Sequence, residues 1–205
     1  MTPDTPSLQA TPRGTDALPP RSARLREATH DRHALLDAAI MAARPFENTA
    51  NYSRFLKVQN RFHHDVSPLY ADPDVAAVIA DLEHLSRLGA VCDDMRDLGV
   101  ADDSPHEAPA AQGLALPEAL GWLYVVEGSN LGAAFLLKAA RGIGLSEDHG
   151  ARHLAGAPEG RAEHWRTFKG ALDAVPLSPT EEARAVDAAH AAFARVQTLV
   201  DRYMA

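Results

Sequence analysis

The residues best suited to chemistry lie in two stretches, LREATHDRHALLD (Leu25 to Asp37) and GWLYVVEGSNLGAAFLLKAA (Gly121 to Ala140). In the first, His33 follows Arg26 by seven residues. Two helical turns nearly restore the phase, so an imidazole and a cation share one face. That pairing suits a flat metal cofactor whose rim carries carboxylates. Asp37, one turn beyond His33, is placed to orient the second ring nitrogen, as ligating histidines require. His30 is the rival ligand, and spacing does not separate the two.

The second stretch has the length and composition of a buried helix, yet Glu127, Gly128, Ser129, Asn130 and Gly132 interrupt it. Glycine inside a helix costs up to ~1 kcal/mol relative to alanine. Two of them one turn apart mark a kink, or a place where backbone must approach something flat and bulky. The same Gly-x-x-x-Gly spacing also serves close packing of two helices. On these residues alone the ligand wall and the packing seam are equal readings. A membrane span is not expected, because Glu127, Asn130 and Lys138 break the run and a span needs ~20 apolar residues.

Other constellations are weaker. Gln59 and His63, one turn apart, could line a polar network or a solvated face; the adjacent pair His63–His64 points in different directions. Glu27-x-x-His30 has the spacing of a di-iron carboxylate bundle, echoed by Asp81-x-x-His84 and Asp187-x-x-His190, but that architecture asks for glutamates. His149 and His153 stand at a zinc-compatible spacing without an evident third ligand. Ser129 misses the Gly-x-Ser-x-Gly elbow, and no phosphate loop or dinucleotide fingerprint occurs.

These residues need helices to hold them, and helical periodicity runs through nearly everything after Pro20. Ser22 is expected to cap a first helix carrying Leu25, Thr29, Leu36 and Ile40. Asn51 opens a second with Tyr52, Phe55, Phe62 and Val66 inward, until Pro68. Asp72–Pro73 starts a third, predicted to reach Leu88. A short helix follows near Val91–Leu98, then an exposed connection from Ala101 to Pro117, then the glycine-bearing helix to about Gly142. A short helical piece lies between Gly150 and Gly156, and a helix with Trp165 and Phe168 spans Ala162 to Val175. Ser178-Pro179-Thr180-Glu181 is a capping box opening the last helix. The reading is all-α and single-domain.

The bulk properties fit. A chain of 205 residues makes one domain, and a net charge of -8 argues against nucleic acid as the main partner. One cysteine, Cys92, excludes an internal disulfide and suits a reducing compartment. Residues 1–21, rich in Pro and Thr, read as a disordered tail without secretion-signal character, so the cytoplasm is the expected location and 22–205 the folded domain.

Together the first helix and LGWLYVVEGSNLGAAFL (Leu120 to Leu136) resemble the bacterial heme oxygenases. The resemblance continues through GARHLAG (Gly150 to Gly156) and GRAEHWRTF (Gly160 to Phe168), and covers the chain from about Ala23 onward. It implies a heme oxygenase-like helical bundle with heme between the first helix and a kinked distal helix. It implies His33 as proximal iron ligand, Gly128, Ser129 and Gly132 as distal wall, and Arg26 and Tyr124 as propionate partners. Gln59 and His63 would form a distal network holding water, Trp165 an aromatic beside it, and Phe193 a contact to the macrocycle.

By the same resemblance the enzyme takes heme as substrate and cofactor, uses O2 and electrons from an external reductase or ferredoxin, and releases biliverdin, iron and carbon monoxide. A bacteriophytochrome is a candidate acceptor of the biliverdin. Two departures from mammalian members stand out. No aspartate follows Ser129 to anchor distal water, and no C-terminal apolar anchor is seen. A heme carrier or sensor on the same scaffold, and a di-iron protein, are the alternatives.

Overall fold

Local chemistry fixes the starts of the helices that begin at Thr49, Pro73 and Pro179. The computed structural model describes residues 18–102 and 107–205. The tail expectation falls mainly on 1–17, outside the described residues. Helix α1 (Arg21–Ala42) starts directly after Pro20, and Ser22 does not cap it. The Ser22 amide and hydroxyl both donate to Asp173, at 2.7 and 2.8 Å, so a tertiary partner outcompetes the local cap. Arg21 beside it is buried, donating to the carbonyls of Leu172 and Val175 and pairing with Glu182 at 2.8 Å. Leu25, Thr29 and Leu36 point inward as their spacing predicts.

Helix α2 (Thr49–Val66) opens two residues before Asn51, because Asn48 is the cap: its side-chain oxygen accepts from the Asn51 amide at 2.8 Å. Tyr52, Phe55, Phe62 and Val66 are buried. After a 3-10 turn at Ser67–Ala71, Asp72 caps α3 (Pro73–Ala76) through the Asp74 and Val75 amides. The long third helix expected there does not form. The backbone turns left-handed at Asp81 (φ 53°), leaving one further turn, α4 (Leu82–Leu85), before α5 (Leu88–Asp97). Aspartate tolerates that conformation, and no helix propagates through it.

Helix α6 (Leu116–Arg141) runs unbroken through all its glycines. A 3-10 turn at Arg152–Leu154 leads to α7 (Arg161–Ala174) and α8 (Pro179–Tyr203). The capping box at Ser178 is formed, with Glu181 accepting from the Ser178 amide at 2.8 Å. Among the described residues there are isolated bridges at Ser146 but no strand, and the architecture is a single all-α domain.

The core seam is α6 against α8, and it depends on small residues. A Cβ on Gly121 would stand 2.2 Å from the Ala185 carbonyl oxygen and 3.0 Å from the Ala188 Cβ. No side chain fits there, so the helix-packing role that glycines can play falls to Gly121. Ala185, Ala188, Ala189 and Ala192 form the facing strip on α8, all buried. Phe62 of α2 stacks on Trp122 of α6 (centroids 6.1 Å), and buried Asp65 joins Arg61 to Arg195 of α8, each at 2.7 Å. Helix α6 is long and apolar enough to cross a membrane, but more than half of its apolar window is buried in this bundle, as suits a core helix.

Candidate active site

With Gly121 accounting for the packing seam, Gly128 and Gly132 face something else. A Cβ on Gly128 would meet only the Trp165 ring, at 3.4 Å, and one on Gly132 would meet nothing within 4 Å. Tyr124, Gly128, Leu131 and Phe135 recur at helical spacing and lie along one side of α6. Leu131 is 45 % exposed and Phe135 79 % exposed. A stripe of this kind, apolar, uncovered and floored by glycine backbone, marks a ligand face rather than a finished core.

Helix α1 meets this face at Tyr124, where Arg26 and Thr29 lie close enough to act on the phenol, while the Thr29 hydroxyl donates to the Leu25 carbonyl at 2.7 Å. Burial, the larger effect, pushes the Tyr124 phenol above its ordinary value, so it stays a neutral donor. Tyr124 packs on Trp165 (centroids 5.6 Å), which stacks on Phe168 (5.7 Å) under the Lys169 ammonium. One turn beyond Thr29, His33 has a side chain 61 % exposed, with Nδ1 bonded to Asp37 at 3.0 Å. Its ring meets Phe193 of α8 edge-on at 5.9 Å. The Asp37 bond commits Nδ1 and leaves Nε2 free, the state a metal-ligating imidazole needs.

A second polar cluster lies between α2 and the Arg152–Leu154 turn. His63 is 4 % exposed, its Nδ1 has no protein partner, and burial, helped by His153 and Arg87, lowers its pKa to about 3. His153 Nδ1 donates to the buried Asp94 carboxylate (2.7 Å), which leaves Nε2 without a partner. Arg87 donates to the carbonyls of His153 and Ala155, both at 2.8 Å, while its Nε is likewise unmatched. Tyr52 Oη completes the set of unmatched atoms and feels the Asp94 charge. Buried polar atoms in this condition are satisfied by ordered water.

A family model for heme oxygenase matches residues 20–202. The chain belongs to the heme oxygenase family. It is 40% identical over 185 residues to heme oxygenase PigA of Pseudomonas aeruginosa, covering 90% of this chain and 93% of that one. The NO- and CO-bound heme oxygenase of Neisseria meningitidis superposes with a TM-score of 0.86 at 40% identity, over 90% of this chain and 92% of the other. Heme oxygenase from Leptospira interrogans, at 16% identity and a TM-score of 0.69 over 89% and 98% of the two chains, shares the fold. The enzyme cleaves heme with O2 and electrons from an external donor, giving biliverdin, iron and carbon monoxide.

The face between α1 and α6 fits that group: a free imidazole nitrogen on one side, side-chain-free backbone on the other, a cation and a phenol at one end. Arg26, Tyr124, Trp165 and Gly128 are brought together, as are His33 and Phe193. Gln59 and His63 are not joined to the Gly128–Ser129 turn by any direct hydrogen bond among the described residues. His63 instead lies near His153 and Arg87, both of which act on it electrostatically.

The alternative metal sets do not assemble: among the described residues no group of three or more His, Cys, Asp or Glu side chains could hold a metal ion. His149 pairs with Asp97 on the surface while His153 turns inward to Asp94, so the supposed zinc pair is split. Sequence reasoning missed Arg87, Asp94 and the role of His153. Only the long GARHLAG match hinted at one of them, since a buried cation in a loop leaves no periodic signal.

Proposed function

We propose that heme is seated between α1 and α6, with His33 Nε2 as proximal ligand to iron and the Gly128–Ser129–Gly132 backbone as distal wall. The open space at Gly132, on a chain whose exposed His33 keeps one ring nitrogen free, carries this reading. When bound, heme supplies both the iron that takes up dioxygen and the meso edge that is oxidised. Asp37 accepts from Nδ1–H, holding the tautomer that directs the Nε2 lone pair outward and raising its basicity. Arg26 and Tyr124 receive the propionates, the first by charge and the second as a phenol donor. Phe193 and Trp165 fix the rims of the cleft.

The chemistry at the wall is defined by what cannot donate strongly. Ser129 Oγ donates to the Val126 carbonyl at 2.7 Å, so toward the cleft it acts as an acceptor. His63, held neutral by burial, is no imidazolium acid at neutral pH. A proton therefore arrives through weakly acidic carriers, water held by His63, Gln59, His153 and Arg87. That arrangement avoids the strong distal acid that would favour heterolytic O–O cleavage over oxidation of the substrate's own edge.

Reaction in the cytoplasm, away from any membrane, is part of this reading; the exposed, unpaired Cys92 suits a reducing compartment. Supply of biliverdin to a bacteriophytochrome is a further part. The test is hemin added to purified protein, then a reductant under air with catalase, followed by visible spectroscopy with an iron chelator present. Soret decay with growth of biliverdin and chelated iron is expected, and an apo-bacteriophytochrome added afterwards should gain its red absorbance. A stable heme complex that only becomes ferrous or oxygenated would instead identify a carrier.

A further inference from the structure

Beside the proposed wall, in the turn of α6 that carries Gly128, a buried carboxylate is gripped from three directions. Glu127 is 1 % exposed. Its Oε1 accepts from the Tyr70 hydroxyl at 2.7 Å, and its Oε2 accepts from Asn130 Nδ2 at 3.1 Å and faces His164 Nε2 at 3.0 Å. The donors come from the Ser67–Ala71 turn, from α6 itself and from α7. His164 Nδ1 faces a second carboxylate, Glu159, at 3.3 Å, and the bond to Glu127 is the main cause of its raised pKa. Arg161 of α7 also draws on this turn, donating to the Asn130 main-chain carbonyl at 2.8 Å.

Glu127, Asn130, Glu159 and His164 line a cleft of about 510 Å³ together with Asp81, His84 and Arg87, and Arg87 also belongs to the cluster around His63. A buried carboxylate that bonded nothing would be costly, and an apolar residue would pack this position more cheaply. Glycines at 128 and 132 loosen the same turn. The same turn of the helix thus combines yielding glycine backbone with a rigid side-chain anchor.

We propose that Glu127 is a positioning residue: held by Tyr70, Asn130 and His164, it fixes the turn of α6 that carries Gly128 and Ser129, so that the wall meets its ligand at one distance. This rests on the placement of heme against that turn. Charged and titratable groups facing the clamp are Tyr70, Arg87 and His84 from the segment before α5, Asp81 beside them, and Glu159, Arg161 and His164 from the α7 end.

The experiment is amide hydrogen exchange on the heme-free protein, comparing wild type with Tyr70→Phe, His164→Leu and His164→Gln. Loss of one hydrogen bond to a buried charge should accelerate exchange of the 128–132 amides by about tenfold or more in Tyr70→Phe and His164→Leu. The glutamine, whose amide nitrogen can stand near the position of Nε2, should restore slow exchange. The amides of 188–196 in α8 should not change. Unchanged exchange at 128–132, or equal acceleration in α8, overturns the proposal.

A second reading uses the ferric heme complexes. Tyr70→Phe should broaden the electron paramagnetic resonance lines of the iron, showing a heterogeneous distal environment. Faster exchange with an unaltered ferric spectrum would also overturn the positioning role. Failure of the heme seat itself would show separately, as a wild-type spectrum indifferent to His33→Ala, while the exchange data still decide the clamp.

Discussion

Gly132→Ala should make the heme-free protein more stable and the heme complex weaker. In the absence of ligand the added Cβ meets nothing within 4 Å, so it brings no clash. Replacing an interior helix glycine by alanine gains about 0.8–1 kcal/mol. For a chain of this size that raises Tm by about 2–4 °C. The same methyl projects toward the place assigned to the macrocycle, where backbone contact is required. Loss of that approach should lower heme affinity about tenfold or more, which is ~1.4 kcal/mol.

Gly121→Ala is the contrast: its Cβ would lie 2.2 Å from the Ala185 carbonyl oxygen, so the helix gain is overwhelmed and the fold loses about 1–3 kcal/mol. The assays are thermal melts by far-ultraviolet circular dichroism without heme, and Soret titrations with hemin. A lower heme-free Tm for Gly132→Ala, or heme affinity within about twofold of wild type, would refute the reasoning.

Ser178→Ala removes the capping box of α8 and should cost about 1 kcal/mol, read as a Tm lower by about 2–4 °C. Asp37→Ala frees the His33 ring and should weaken heme binding by about tenfold, the low end for such partners because this pair is exposed, as measured by hemin titration. For His63 the folded pKa of about 3 lies below the unfolded value of 6.5, so the unfolded chain binds more protons between them. Its contribution to stability is complete above pH 6.5 and is lost as pH falls toward 3, at up to ~1.4 kcal/mol per pH unit. Denaturant melts from pH 7 to 4.5 should therefore show a shallower decline for His63→Gln than for wild type.

Much of the fold is legible in the sequence because helices are local objects. The inward stripe of α2 and the Ser178 capping box follow from spacing within a few residues, and both are found. What the sequence hides depends on tertiary competition. Ser22 looks like a cap but is taken by Asp173, and the long helix expected after Pro73 is broken twice, ending at Ala76 and divided from the next turn by the left-handed backbone at Asp81.

The candidate site divides the same way. His33, Asp37 and Arg26 share a face by arithmetic on α1. In the sequence the glycines of α6 fit a seam or a wall equally; in the fold the α8 backbone presses on Gly121, Gly128 meets only the Trp165 ring and Gly132 meets nothing within 4 Å. Arg87, Asp94 and His153 come from segments with no shared period, so only the folded chain brings them together.

The central claim is that His33 holds the iron, and resonance Raman spectroscopy of the ferrous heme complex tests it most directly. Wild type should show an iron–histidine stretch that disappears in His33→Ala and returns when imidazole is added. A stretch that survives in His33→Ala would contradict the account and transfer the ligand role to another histidine.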